Sequence, residues 1–220
     1  MNDGSHGRRV ELTVGIGIVL LVLTLGLAFL LARVESRTRR PVGLPVYGLV
    51  TDFTLTNQIG RTTTLADFRG HAWVADIIFT RCPGPCLRMT RQMKELEAAL
   101  PSNSSTRLVT LTTDPDFDTP SVLTKYAERF DAKSNRWTFL TGTKTEIGNL
   151  ATTGLKLAVV EKEAADRTAP EDLFIHSTVF VLVDKAGQLR GVYQTGGEGV
   201  DWEQSKQEIL SAVKRLEHEP

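Results

Sequence analysis

Cysteine is scarce in this 220-residue sequence, which contains only Cys82 and Cys86. A net charge is also lacking, because Lys and Arg together number 26 and Asp and Glu together also number 26. A chain without a charge excess gives no electrostatic reason to expect a nucleic acid partner. Internal repeats and low-complexity segments are absent as well, so the length suits one ordinary domain with an appendage.

The appendage is an uncharged hydrophobic run at 12–32, LTVGIGIVLLVLTLGLAFLLA. As a helix, its 21 residues are long enough to cross a hydrocarbon core of about 30 Å. We interpret it as an uncleaved transmembrane anchor; the alternative is a cleaved signal peptide, for which Gly26-Leu27-Ala28 offers a weak cleavage site. The predicted organisation is a short tail at 1–11, the anchor at 12–32, an Arg-, Pro- and Gly-containing linker at 33–48 and a globular domain at 49–217.

Arginines flank the hydrophobic run on both sides: Arg8 and Arg9 precede it, and Arg33, Arg37, Arg39 and Arg40 follow it. By arginine count alone the globular domain would stay inside the cell, although a first segment followed by a long domain is a known exception to this rule. The short tail is too brief for an organelle presequence and indicates a bacterial envelope protein. The side of the membrane has to be decided by the chemistry downstream.

Predicted strands and helices alternate along the globular part. Runs of apolar and β-branched residues predict strands at 53–55, 62–65, 72–79, 107–112, 137–140, 155–160, 174–183 and 188–194. Helical spacing and capping residues predict helices at 89–100, 119–130, 144–153 and 201–216. This order predicts an α/β or α+β fold with a mixed central sheet flanked by helices.

Cys82 and Cys86 stand four residues apart in FTRCPGPC, before the first predicted helix. A structural disulfide closing so short a loop would contribute only about 2 kcal/mol, and a domain of this size has little need of it. Thiols near a helix N-terminus are favoured as thiolates, the form that attacks disulfides and binds metals. The residues alone favour a reactive or metal-binding pair, with a structural bridge and two inert buried thiols as alternatives.

A third ligand would decide between Cu(I) binding and thiol exchange, both of which suit two thiolates. Of the four histidines, His6 precedes the hydrophobic run, His218 lies in the C-terminal tail and His71 has the context of a turn. His176 heads the strongest predicted strand, where a lone histidine is more often a core or edge residue than a ligand. Met89 and Met93 could supply thioethers, but their helical spacing favours core packing.

Four segments resemble, in order and spacing, motifs of the Sco/SenC family: FTRCPGPC, TTDPDFDTPSVLTKYAERF, FLTGTKTEIGNLA and IHSTVFVLVDKAGQLRGVY. The resemblance runs from Leu49 to the C-terminal helix. It implies a thioredoxin-like domain, tethered outside the cytoplasm to the inner membrane, that binds copper and supports the CuA centre of cytochrome c oxidase. By the family pattern, Cys82 and Cys86 correspond to thiolate ligands and His176 to the imidazole ligand, a set that can hold Cu(I) or Cu(II).

The sequence departs from the family pattern beside these residues. Ile175 stands where the family often has an acid, and Arg81 stands where it often has a histidine. As a cation next to the thiols, Arg81 is expected to lower their pKa and to change which partner docks. Asp114 and Asp118 match the family, and we interpret them as loop and helix-cap features.

Asp76 interrupts an apolar strand six residues before Cys82. Thioredoxins carry a buried aspartate at the same offset, where it relays protons during thiol exchange. The alternative is an acid at the strand edge that faces water. If Asp76 is buried, it becomes a candidate base toward Cys86.

The predicted function is therefore a membrane-tethered copper metallochaperone whose partners are an oxidase subunit carrying CuA, or another copper acceptor, and thiol reductants. The alternative is an extracytoplasmic thiol-disulfide oxidoreductase in which Cys82 attacks, Cys86 resolves and Asp76 relays the proton. A third possibility is a redox or copper sensor without turnover.

Overall fold

The computed structural model describes residues 20–31, 33, 43–82, 84–133, 135–163, 165 and 174–219. The chain divides into two compact units, Met1–Gly43 and Leu44–Pro220. In the first unit, residues 20–31 form helix α1, whose large apolar side chains are exposed. Among the described residues, no helix is both long and apolar enough to cross a membrane. Residues 12–19 and Ala32 of the predicted anchor lie outside the described residues.

The second unit contains ten strands in the part of the chain described. They are β1 (Gly48–Leu49), β2 (Thr54–Asn57), β3 (Thr62–Thr64), β4 (Trp73–Ile78), β5 (Arg107–Thr112), β6 (Trp137–Thr141), β7 (Val159–Glu161), β8 (Phe174–His176), β9 (Val179–Val183) and β10 (Gln188–Gln194). Eight of them form one sheet in the order β1-β10-β9-β4-β5-β6-β2-β3, and β7 pairs with β8 in a separate sheet. The β4–β5 and β5–β6 pairs are parallel and the other pairs are antiparallel.

Helices cover both faces of the eight-stranded sheet. They are α2 (Pro85–Ala99), α3 (Pro120–Arg129), α4 (Lys144–Gly148) and α5 (Trp202–His218), with a 3₁₀ turn at Leu65–Phe68 and a π-helical turn at Asn149–Gly154. Helices α2, α3 and α5 share one hydrophobic cluster, to which they contribute Met89, Leu123 and Ile209. The 3₁₀ turn and α4 share the other cluster, through Phe68 and Ile147. The predicted α/β class with a mixed sheet and flanking helices is confirmed.

Strand β4 is buried along its whole length, as expected for a strand near the middle of a covered sheet. Side chains alternate between the two faces of a strand. Val74 and Ile78 belong to the cluster under α2, whereas Ala75 and Ile77 belong to the opposite cluster. Asp76 therefore shares the face of Val74 and Ile78, beneath the helix that carries Cys86.

Local signals at the helix N-termini fix where each helix begins. Pro85 and Pro120 occupy the first helical turns of α2 and α3, where the missing N–H of proline breaks no hydrogen bond. At α5, the Asp201 carboxylate accepts hydrogen bonds from the N–H groups of Glu203 (2.9 Å) and Gln204 (3.3 Å). Because α2 begins at Pro85, Cys86 lies in its first turn.

The prediction of one continuous strand at 174–183 is wrong, because the chain forms β8 and β9 in two different sheets. At the break, the N–H of Ser177 donates to the carbonyl of Ala158 (2.9 Å), which keeps this part of the chain with β7. The next carbonyl, of Thr178, accepts from the N–H of Thr195 (2.9 Å) beside β10. Neighbouring residues thus pair with different partners, which an unbroken apolar run cannot reveal.

The prediction of a strand at 155–160 is also wrong for most of its length, since β7 begins only at Val159. The N–H groups of Leu155 and Leu157 donate to carbonyls of the π-helical turn, those of Leu150 and Ala151 (both 2.8 Å). Leu155 and Leu157 are buried, so their apolar character reflects packing of a helix end and not pairing in a sheet.

Met93 tests whether the methionines of α2 are core residues. Both Met89 and Met93 are fully buried in the cluster between α2 and the sheet. We expect Met93→Leu to lower the free energy of unfolding by less than about 1.5 kcal/mol and Met93→Ala to lower it by about 2–5 kcal/mol. Urea denaturation measures both, and a Met93→Leu variant with lost copper binding would show that the thioether is a ligand.

Candidate functional site

Both cysteines lie where β4 passes into α2. The N–H of Cys82 donates to the carbonyl of Phe79 (3.2 Å), which closes a turn directly after the strand. Gly84 caps α2, and Cys86 follows in the first helical turn. Neither thiol is part of a disulfide; Cys82 is half-buried and Cys86 is completely buried. Cys82 is therefore the sulfur that a partner reaches first.

Burial controls the chemistry of Cys86. Its pKa is raised far above that of an ordinary thiol, chiefly because the charged form would lose its hydration, and next because of a hydrogen bond with the Cys82 thiol. The negative charges of Cys82 and Asp76 act in the same direction, while a backbone hydrogen bond from Phe79 acts against them. The expected location at a helix N-terminus is confirmed, but burial outweighs the helix dipole and keeps Cys86 protonated.

Thr90 and Tyr126 connect α2 with α3 one turn below Cys86. The hydroxyl of Thr90 donates to the carbonyl of Cys86 (2.9 Å) and lies 2.8 Å from the hydroxyl of Tyr126. Burial is the main cause that raises the pKa of Tyr126, and the charges of Cys86 and Asp76 add to it. This pair was missed at the level of sequence because its two hydroxyls meet across 36 residues.

Asp76 is fully buried, so the alternative of a strand-edge acid facing water is wrong. Thr110 stands opposite it on β5 and donates its hydroxyl to Asp76 Oδ1 (2.7 Å). The indole Nε1 of Trp137 donates in turn to the Thr110 hydroxyl (2.9 Å). Asp76 thus lies buried on the face of β4 beneath α2, and its charge is among the causes that raise the pKa of Cys86.

Arg81 does not stand as a free cation beside the thiols. Its Nε donates to Asp114 Oδ2 (3.2 Å), its terminal nitrogen contacts the same oxygen, and its guanidinium carbon lies 4.1 Å from the centre of the Phe117 ring. The carboxylate compensates the charge, and Asp114 has a binding role that the sequence interpretation as a loop feature did not include.

His176 belongs to β8, but its side chain lies outside the described residues. β9 runs antiparallel to β4, with Ala75 opposite Val181, so the chain entering β9 and the chain leaving β4 lie at the same end of the sheet. The backbone of His176 precedes β9 by only two intervening residues. Within the described residues, no three His, Cys, Asp or Glu side chains are grouped so that they could hold a metal ion, and the three-ligand set remains a prediction.

The sequence pattern of the SCO1/SenC family matches residues 45–215. The SCO1 protein homolog of Bacillus subtilis (strain 168) is 34% identical over 167 residues, which cover 75% of this chain and 81% of the relative.

Three solved structures share the fold. BsSco, described with a disulfide switch and as a member of the Sco family of cytochrome c oxidase assembly proteins, is 30% identical with a TM-score of 0.63, covering 81% of this chain and 99% of that one. A SCO1/SenC family lipoprotein from Bacillus anthracis str. Ames is 28% identical with a TM-score of 0.62, covering 81% and 98%. Yeast Sco1 with copper bound is 24% identical with a TM-score of 0.62, covering 76% and 89%, and shows likeness of fold alone.

The two thiols should differ in their reactivity toward iodoacetamide. In the reduced, folded chain at neutral pH we expect Cys82 to be alkylated first and Cys86 to react at less than about a tenth of that rate, because burial removes both access and thiolate. Peptide mass spectrometry after timed quenching measures both rates. In urea the two rates should converge; equal rates in the folded protein would contradict the inner position of Cys86.

Proposed function

The chain belongs to the SCO1/SenC family, and on this premise we propose that it is a membrane-tethered copper metallochaperone. It holds Cu(I) or Cu(II) through Cys82, Cys86 and His176 and supports assembly of the CuA centre of cytochrome c oxidase. The observation that carries the proposal is the pair of reduced thiols, hydrogen-bonded to each other at the start of α2, one half-buried and one buried.

The thiol pair suits copper as cargo. Thiolate is the soft ligand that selects Cu(I), and an added imidazole nitrogen favours Cu(II). A half-buried Cys82 leaves one sulfur open to an incoming ligand, so that copper can leave by exchange. Because burial raises the pKa of Cys86, copper has to displace a proton from this thiol, and binding becomes weaker as the pH falls.

The course of the chain supports His176 as the third ligand. β9 is antiparallel to β4, so the segment just before Val179 and the segment just after Ile78 approach the same end of the sheet. His71, whose side chain is described, precedes β4 and contacts the carbonyl of Ser105 through Nδ1 (3.0 Å). It therefore stands at the end of β4 away from the cysteines.

A membrane tether supports the same function. The 21-residue uncharged run at 12–32 suits a single-pass anchor, and a relative from Bacillus anthracis is a lipoprotein. We place the domain on the extracytoplasmic side of the inner membrane. The acceptor is the oxidase subunit that carries CuA, or another copper protein, since BsSco is described as a cytochrome c oxidase assembly protein.

Burial of Asp76 favours a second candidate, thiol-disulfide exchange. The Cys82 thiolate attacks a partner disulfide, forms a mixed disulfide and releases one partner thiol. Cys86 then gives its proton to Asp76 and attacks the Cys82 sulfur, which releases the second partner thiol. The partner gains two electrons and two protons, one from the solvent, which had taken the proton of Cys82, and one returned by Asp76, and Cys82 and Cys86 become a disulfide. Reduction of the acceptor would prepare it for copper.

Copper titration of the full chain in detergent, without oxygen, tests the copper proposal. We expect one equivalent of Cu(I) or Cu(II) per chain, with thiolate-to-Cu(II) charge transfer in absorption. His176→Ala should weaken Cu(II) binding by more than the roughly 10–100-fold typical of losing an outer-sphere partner, while two thiolates retain Cu(I). His71→Ala is the matched control and should bind as the unaltered chain does.

Two outcomes would contradict this proposal in different ways. Unchanged Cu(II) binding by His176→Ala would exclude the imidazole ligand but keep copper as cargo. No copper binding by the unaltered chain would leave thiol exchange as the function.

Asp76→Asn tests the exchange reaction. We expect slower oxidation of the reduced pair by glutathione disulfide and a changed pH dependence between pH 5 and 9, because the base toward Cys86 is lost. Stopped-flow thiol kinetics measure the rates, with Asp67→Asn as the control for removing a carboxylate distant from the cysteines. Equal rates for Asp76→Asn and the unaltered chain across this range would remove Asp76 from the reaction.

A further inference from the structure

One loop contacts the two residues directly before Cys82 through several side chains. We define the cradle loop as residues 113–119, between β5 and α3, and the cysteine loop as residues 79–84, of which residue 83 is outside the described residues. The cradle loop contacts both residues that precede Cys82, and it does so through three side chains: Asp114, Phe117 and Asp118.

Asp118 holds Thr80. It is fully buried, and its Oδ2 accepts hydrogen bonds from the N–H of Thr80 (3.0 Å) and the hydroxyl of Thr112 (2.5 Å). Its Oδ1 accepts a further hydrogen bond from the hydroxyl of Thr80. A buried carboxylate with three donors fixes both the backbone and the side chain of Thr80.

Asp114 and Phe117 hold Arg81. Asp114 is buried and accepts two N–H groups of the guanidinium on one oxygen, while the guanidinium carbon lies over the Phe117 ring. Arginine can make both contacts at once because its guanidinium is planar. The charge is paired, so what remains is a fixed side chain beside Cys82.

The cradle loop is itself tied to the sheet. The N–H of Thr113 donates to the carbonyl of Ile78 (2.8 Å), which extends the β4–β5 pairing beyond both strands. Within the loop, the carbonyl of Asp114 accepts from the N–H groups of Phe117 (3.1 Å) and Asp118 (2.8 Å). The side chains that hold Thr80 and Arg81 therefore belong to a loop that is fixed to the buried sheet, and not to a separate surface segment.

We propose that Asp114, Phe117 and Asp118 are positioning residues for Cys82. By fixing Thr80 and Arg81, they set the direction of the chain as it enters Cys82, and so the position of the outer sulfur relative to Cys86. The inference rests on the proposed function only in taking Cys82 as the sulfur that binds or reacts first. It assigns the DPDFD segment a role at the site, although none of its residues is a ligand.

The chain contains a matched control for this proposal. Asp67 accepts hydrogen bonds from both the N–H (2.7 Å) and the hydroxyl (2.9 Å) of Thr64, the same two groups by which Asp118 holds Thr80. Thr64 and Thr80 are both half-buried, and Thr64 is distant in the fold, at the end of β3. Thr80→Val and Thr64→Val thus each remove one hydroxyl that donates to a carboxylate, which is buried for Asp118 and exposed for Asp67.

The test measures these variants as full chains in detergent. For Thr80→Val we expect about tenfold weaker Cu(I) binding, the loss typical of an outer-sphere partner, and an altered alkylation rate of Cys82 in copper-free protein. Thr80→Ser should restore both values. Thr64→Val should change neither, and it should lower the thermal midpoint by less than Thr80→Val does, because water can replace the lost hydroxyl at the exposed Asp67. Equal copper and alkylation values for the two valine variants would overturn the proposal.

A second variant tests the same proposal in case Thr80→Val does not fold. Arg81→Lys keeps the charge but loses the planar contacts with Asp114 and Phe117. A changed Cys82 alkylation rate at unchanged thermal midpoint supports positioning, and an unchanged rate contradicts it. The alkylation measurement needs no metal, so it tests this inference independently of the proposed function. If the chain bound no copper, the proposed function would be wrong, but the alkylation rates would still show whether these residues position Cys82.

Discussion

The Cys86 thiol is fully buried in the first turn of α2, and the rest of the site is arranged around this buried thiol. Burial raises its pKa, so the Cys86 sulfur keeps its proton until it binds a metal or forms a disulfide. Cys82 is half-buried and remains accessible. The two sulfurs therefore act in order, first contact at Cys82 and then proton loss at Cys86, whichever of the two chemistries the chain performs.

Polar groups buried near this thiol are joined in short chains of hydrogen bonds. Trp137 donates to Thr110 and Thr110 to Asp76, while Thr90 links the carbonyl of Cys86 to Tyr126. A buried polar group without a partner is costly, so these contacts favour one arrangement of α2, α3 and the sheet. The same contacts that define the fold thereby define the surroundings of the cysteines.

Sequence patterns were sufficient for the elements whose neighbours lie along the chain. The strands at 62–65 and 107–112 were predicted from local residues, and so was the position of Cys86 at a helix start. The break between β8 and β9 was not predicted because it depends on hydrogen bonds between distant residues. Ser177 donates to Ala158 beside β7, whereas Thr178 accepts from Thr195 beside β10.

For the site, the two cysteines and an acid in an apolar strand were visible in the sequence, but whether Asp76 is buried or faces water had to be decided by the structure. The grip of Asp118 on Thr80 was not visible, because it joins residues 38 apart whose meeting requires the completed sheet. The small sheet of β7 and β8 is separate from the large sheet that positions the thiols. A metal held by both cysteines and His176 would connect the two sheets a second time, in addition to the two residues between β8 and β9, and its departure would remove this connection. A partner protein could then distinguish the copper-loaded form from the copper-free form by how the two sheets are arranged, without contacting the ion.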